Sequence, residues 1–163
     1  MIALRLDDVE RLVSGRLERA ESADEITGVR VDSRRVQPGD LFVAVGRGDE
    51  FLADARERGA AATLVPDEPF ASFAALGAAV RDRSDARVVG ITGSTGKTST
   101  KDILFAMCAP HRRTVANEGN YNTEIGVPLT ICRVEEDTEV CITEMGMRGP
   151  GQIAWLAAFV QPD

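Results

Sequence analysis

The stretch Arg87-Val88-Val89-Gly90-Ile91-Thr92-Gly93-Ser94-Thr95-Gly96-Lys97-Thr98-Ser99-Thr100 leaves the surrounding chain little freedom in how it folds. Val88, Val89 and Ile91 make a short apolar run, the pattern of a strand buried on both faces of a parallel sheet. Gly93 and Gly96 interrupt it, and glycine reaches backbone angles closed to other residues. From Lys97 onward, Thr98, Lys101, Ile103, Leu104 and Met107 have the spacing of an amphipathic helix. Strand, glycine loop and helix N-terminus together aim free N–H groups and the positive end of a helix dipole at one point, which is a cradle for an anion.

The longer phosphate-loop pattern G-x-x-x-x-G-K-[ST] asks for glycine where this chain has Ile91, so only the shorter G-S-T-G-K-T form is met. Its strand and helix context is nevertheless present. The pattern gives Gly93, Ser94, Thr95, Gly96, Lys97, Thr98 and Ser99 to a nucleotide's phosphates. Lys97 reaches the β- and γ-phosphate oxygens, and the Thr98 hydroxyl is placed to ligate Mg²⁺. Glu144 follows the apolar run Val140-Cys141-Ile142-Thr143. In a parallel sheet its carboxylate falls on the same rim as the glycine loop, where it can share the metal. The polar run from Asn117 to Thr123 lies on that rim too, with neutral donors and acceptors for a sugar, amide or phosphate, although asparagine and glycine also serve turns for their own sake. Earlier in the chain Asp32-Ser33-Arg34 offers an arginine fork for a carboxylate or diphosphate and a hydroxyl for a base or sugar, although on these residues alone a solvated surface loop is the more ordinary reading.

The rest of the chain continues the alternation. A helix is expected over Leu4–Leu17, then strands at Ile26–Asp32, Leu41–Val45 and Ala61–Val65. Helices are expected over Phe51–Arg58, stopped by Gly59, and Phe70–Val80. Arg81-Asp82-Arg83-Ser84-Asp85 is charged and without apolar residues, which sets a domain boundary there, with residues 1–83 before it and 84–163 after. Beyond the phosphate loop come a strand at Arg112–Val115, a helix from Glu124 with Pro128 in its first turn, a strand at Glu139–Thr143 and a helix at Gln152–Val160. Alternating strands and helices imply an α/β fold: a small amino-terminal α/β domain followed by a partial parallel sheet of the phosphate-loop, Rossmann-like kind.

Composition narrows the partners. A net charge of −7 over 163 residues argues against nucleic acid or an anionic membrane as the main partner. Charged residues early in the chain (Arg5, Asp7, Asp8, Glu10, Arg11) leave no secretory signal core, and no apolar run approaches the roughly 20 residues of a membrane span, so a cytoplasmic setting is expected. Cys108, Cys132 and Cys141 lack metal-site spacing and read as buried free thiols, while His111 reads as a solvated surface residue.

At three blocks the sequence resembles the Mur ligases, ATP-dependent amide-forming enzymes of peptidoglycan precursor synthesis. These are Asp32-Ser33-Arg34-Arg35-Val36-Gln37-Pro38-Gly39-Asp40-Leu41-Phe42-Val43-Ala44, the G-S-T-G-K-T loop, and Gly119-Asn120-Tyr121-Asn122-Thr123-Glu124-Ile125-Gly126-Val127-Pro128 with Glu144-Met145-Gly146. The last block points within the family to the branch whose substrates are a UDP-N-acetylmuramoyl-tripeptide and D-alanyl-D-alanine. The resemblance implies that ATP phosphorylates the peptide's terminal carboxylate and that the dipeptide amine attacks the resulting acyl phosphate. It gives Lys97 and Glu144 catalytic roles, and gives Thr98 and Glu144 to magnesium. Ser33 and Arg34 fall to the UDP end of the substrate, with Asn120, Asn122 and Thr123 facing substrate and phosphates.

Two departures stand out. Only Gly46-Arg47-Gly48-Asp49-Glu50 separates Val45 from Phe51, with Asp49 where the family carries a histidine. Family members are also far longer, so the resemblance implies the amino-terminal domain and the first part of the ATPase domain, a piece not expected to complete the reaction alone. A sheet of so few strands is also expected to present an unpaired edge. Two alternatives stay open: a superfamily relative such as the diaminopimelate- or lysine-adding ligase or a folylpolyglutamate synthase, and a non-catalytic nucleotide- or UDP-binding module.

Overall fold

From Asp40 onward strands and helices alternate as the apolar spacing predicts. A computed structural model describes residues 1–119 and 121–163, which fall into two units: Met1 and Ala3–Leu76 in the first, Ile2 and Gly77–Asp163 in the second.

The first unit runs through β1 (Leu4–Arg5), α1 (Leu6–Leu12), β2 (Gly15–Arg19), β3 (Glu25–Ile26), β4 (Gly28–Arg30), β5 (Asp40–Val43), α2 (Leu52–Glu57) and β6 (Ala62–Pro66) into α3 (Pro69–Arg81), with 3-10 turns at Ser33–Arg35 and Gly48–Phe51. β1 and β3 pair antiparallel. The larger sheet has the order β2-β6-β5-β4, in which β5 is parallel to both its neighbours and β2 is antiparallel to β6. Val36, Phe42, Ala44, Ala55 and Ala60 are buried together, with Leu52 and Val65 packed on them. Asp40 is buried at the head of β5, where its carboxylate accepts the Gln37 N–H (2.8 Å) and pairs with Arg30 (3.1 Å). Those partners offset the cost of burying the charge.

The helix expected over Leu4–Leu17 is cut short. α1 ends at Leu12, and the chain then extends into β2. Gly15 has φ +119°, and a Cβ there would stand 2.2 Å from the Val65 carbonyl oxygen, so only glycine lets β2 approach β6. Arg16, Glu18 and Arg19 suit a helix by propensity, but pairing along β6 outweighs that. As charged residues on an edge strand they also hinder further strand addition.

The second unit contains β7 (Arg87–Ile91), α4 (Lys97–Cys108), β8 (Thr114–Ala116), α5 (Gly126–Ile131), β9 (Val140–Glu144) and α6 (Gln152–Val160). Its sheet is parallel throughout, in the order β7-β9-β8. Consequently the loop after β7, the polar run after β8 and the end of β9 meet at one rim. Leu156 and Val160 of α6, Val127 and Ile131 of α5, and Cys141 and Ile142 of β9 are buried, with α6 packing on β7 and α5. β7 is an edge strand; Asp163 bonds both the N–H and the C=O of Val88 there.

Helix α4 forms where the spacing predicts, yet it does not bury the predicted face. Its inner seam carries Lys101, buried, with Leu104 and Cys108 half-buried, whereas Ile103 and Met107 are exposed. Cys132 and Cys141 are buried as expected, and burial pushes both thiols up to about 12. Cys108 is only half-buried, and His111 is exposed. Among the described residues no helix is long and apolar enough to cross a membrane.

Candidate functional site

The glycine loop sits between β7 and α4, as its sequence requires. Gly93 has φ +149° and Gly96 φ +76°, both in the region that favours glycine. Gly96 caps α4 without a side chain, leaving the first N–H groups of the helix without intrahelical partners. Ser94, Thr95, Thr98 and Ser99 are exposed around that opening. Lys97 is half-buried, and its ammonium donates to the Gly93 carbonyl (2.7 Å), folded over the loop it would share with a phosphate.

Glu144 closes β9 directly beside this loop. It pairs in register with Ile91, and the N–H of the next residue, Met145, donates to the Ile91 carbonyl (2.8 Å). The Glu144 side chain is 1% exposed. Its Oε1 accepts from Asn122 Nδ2 (2.8 Å), whereas its Oε2 is buried with no hydrogen-bond partner among the described residues. A buried carboxylate oxygen left without a donor is costly unless a cation completes it.

Asn122 and Thr123 of the polar run belong to the same place. Together with Lys97, Glu124, Gly146, Met147, Arg148 and Gln152 they line a pocket of about 180 Å³. Asn122 also accepts the Gly146 N–H on its carbonyl (2.8 Å). Gln152 fastens the loop between β9 and α6: its Oε1 accepts the N–H groups of Arg148 and Gly149, and its Nε2 donates to Glu124. Asn120 lies outside the described residues.

Ser33 and Arg34 are in the first unit. Ser33 is buried, and its hydroxyl bonds Asp54, holding that carboxyl below its ordinary range. Arg34 is exposed and grips Asp32 through Nε (2.9 Å) and Nη2 (2.8 Å). This side-chain pairing, with the Arg34 N–H, brings the Asp32 carboxyl down to about 2. Both groups proposed for a ligand are thus pre-set by neighbouring acids.

Two groups that the sequence marks only as part of the polar run and of the helix face stand behind Glu144. Asn117, buried, accepts the Glu144 N–H on Oδ1 and donates from Nδ2 to the Tyr121 and Glu144 carbonyls. Lys101, four residues and about one helical turn after Lys97, donates to the Asn117 carbonyl (3.0 Å). A lysine on the inner seam of a helix was the available signal.

In sequence and in fold the chain is similar to known proteins. Residues 91–163 match the Mur ligase middle domain. The UDP-N-acetylmuramoyl-tripeptide–D-alanyl-D-alanine ligase of Escherichia coli strain K12 is 32% identical over 180 aligned positions, covering 100% of this chain and 39% of the relative. A crystal structure of MurF from Acinetobacter baumannii superposes with a TM-score of 0.80 at 26% identity, over 98% of this chain and 39% of that one. The Thermotoga maritima MurF ligase, solved in complex with ADP, matches with a TM-score of 0.69 at 32% identity, over 83% of this chain and 35% of that one. The chain therefore spans about two-fifths of the length of the curated relatives it matches. The α/β fold agrees with these structures, and residues 91–163 carry the middle domain of the Mur ligase family.

Proposed function

We propose that this chain supplies the UDP-substrate-binding part (residues 1–83) and the nucleotide-phosphate-binding part (residues 84–163) of an ATP-dependent ligase. In this reading the ligase joins D-alanyl-D-alanine to UDP-N-acetylmuramoyl-tripeptide, in cytoplasmic peptidoglycan precursor synthesis. The observation that carries the reading is the orphaned Oε2 of Glu144, buried on the strand tip next to the glycine loop. The relatives named for this ligation supply the substrates.

The donor set fits Mg²⁺. Glu144 and the Thr98 hydroxyl are hard oxygen donors, and magnesium commonly takes one or two protein ligands with phosphate and water completing its shell. When bound, the ion would offset charge on the β- and γ-phosphates. The chain's own residues do the rest. Loop N–H groups and the Lys97 ammonium hold the phosphates and spread the charge that develops on the transferring group. Asn122 fixes one oxygen of Glu144 and leaves the other for the metal. Phosphoryl transfer to the peptide carboxylate gives an acyl phosphate; the dipeptide amine attacks its carbonyl carbon, the C–O bond to phosphate breaks, and the amine loses a proton.

Titration of Mg²⁺-ATP against the chain and its Lys97→Ala variant tests this, with UDP-N-acetylmuramoyl-tripeptide titrated separately. The variant should lose about tenfold or more in ATP affinity, equivalent to ~1.4 kcal/mol, while affinity for the muramoyl peptide is kept. Equal ATP affinity in both proteins would sink the proposal. Comparing D-alanyl-D-alanine with diaminopimelate as the amine, in a ligase carrying this chain, separates the D-alanyl-D-alanine reaction from that of the neighbouring ligase.

A further inference from the structure

We propose that Lys101 and Asn117 are positioning residues that aim the Glu144 carboxylate, and thereby set how strongly a divalent cation is coupled to nucleotide binding. The proposal rests on the reading of Glu144 as a metal-holding group. Neither residue lines the pocket at Lys97.

Asn117 holds both main-chain polar groups of Glu144 with one side chain, its Oδ1 accepting the N–H and its Nδ2 donating to the C=O (3.3 Å). The same Nδ2 donates to the Tyr121 carbonyl, tying the polar run to the tip of β9. Glu144 thus has its backbone fixed from β8's side and its Oε1 fixed by Asn122, so Oε2 has little choice of direction. Its orientation is set by the fold before any cation arrives.

Lys101 secures Asn117 in turn. Its ammonium donates to the carbonyls of Asn117 (3.0 Å) and Gly119 (3.4 Å) and pairs with the exposed Asp102 carboxylate (3.0 Å). It is 4% exposed on a seam where an apolar side chain would pack without penalty. Burying an ammonium there is costly, and the carbonyls it holds are what offset that cost. Because α4 also carries Lys97 and Thr98, this path links the helix that bears the phosphate-binding groups to the acid on β9. Groups of this kind, standing behind a metal ligand, typically change metal affinity by about 10–100-fold when removed.

The test is the ratio of ATP affinity with saturating Mg²⁺ to that with chelator, measured by titration calorimetry, with thermal melting alongside. Asn117→Ala and Lys101→Met should each lower the ratio about tenfold while affinity in chelator stays unchanged; Lys101→Arg, which keeps a cation at the carbonyls, should recover most of it. A lowered melting temperature with the ratio intact would show mere scaffolding and overturn the proposal. If Asn117→Ala does not fold, Asn117→Ser serves in its place, and an unchanged ratio in it is equally fatal. Glu144→Gln separates the two layers. Coupling that survives this change would refute Glu144 as the metal-holding group. Coupling that is lost here but intact in Asn117→Ala would refute only the positioning role.

Discussion

Asn122 stands where the polar run, the strand tip and the loop after it meet. Its Nδ2 bonds Glu144 Oε1, and its Cγ and Oδ1 would lie 3.0 Å from a Cβ placed on Gly146. Gly146 does not have a positive φ, so its backbone would accept alanine, and only this contact opposes the change. Gly146→Ala should therefore push Asn122 off Glu144. Urea unfolding should show a loss of about 1.5–3 kcal/mol, the worth of a hydrogen bond to a charged group. Magnesium-dependent ATP binding should fall in parallel; a variant as stable as the wild type would mean that Asn122 has room to give. At this scale the sequence is informative where chemistry names the residue. Lys97, Thr98 and Glu144 follow from a motif and a strand end. Asn117 and Lys101 do not, because their partners are backbone carbonyls and N–H groups brought near only by the parallel register of β8 and β9.

Among the elements, the 3-10 turn Ser33–Arg35 depends most plainly on one side chain. Asp32 caps it by accepting the Arg34 N–H (3.1 Å) while the Arg34 guanidinium closes the same carboxylate. The bond from the Arg34 side chain and then that from its N–H lower the Asp32 carboxyl from 3.8 to about 2. A carboxyl lowered on folding stabilises the folded state above its unfolded value, and that contribution fades as pH falls through the folded one. Asp32→Ala should thus lower the melting temperature by a few degrees at neutral pH. The gap from wild type should narrow as pH falls below 3.8 and close near 2. A gap that stays constant across that window would mean the pairing with Arg34 contributes nothing. The elements legible in the sequence are those with a single period and a clear stop: α6 matches its expected span, and α2 ends before Gly59, which has φ +89°. The misread ones are set by partners distant in sequence. β2 is a strand because β6 offers an edge, and α4 turns Lys101 inward because the loop after β8 supplies acceptors.

For the molecule as a whole, the proposed function gives different ligands to different parts of the chain, and the two units make that proposal testable. The groups that would meet a nucleotide's phosphates, at the glycine loop, in the polar run and at Glu144, all lie in the unit Gly77–Asp163. Ser33 and Arg34 lie in the other, each already engaged by an acid, Asp54 for the hydroxyl and Asp32 for the guanidinium. Hydrogen exchange followed by mass spectrometry reads both at once. Mg²⁺-ATP should slow exchange over residues 92–99 and 144–149, because phosphate oxygens would take the N–H groups that Gly96 leaves open and the metal would fix the end of β9. UDP-N-acetylmuramoyl-tripeptide should instead slow exchange over residues 32–36, where a diphosphate would compete with Asp32 for Arg34. The two footprints should stay distinct, since the groups responsible are of different kinds: backbone donors at a helix start in one case, a side-chain fork in the other. Protection of residues 32–36 by ATP, with 92–99 left unchanged, would reverse the assignment of the units and remove the basis for placing the phosphate chemistry beside Glu144.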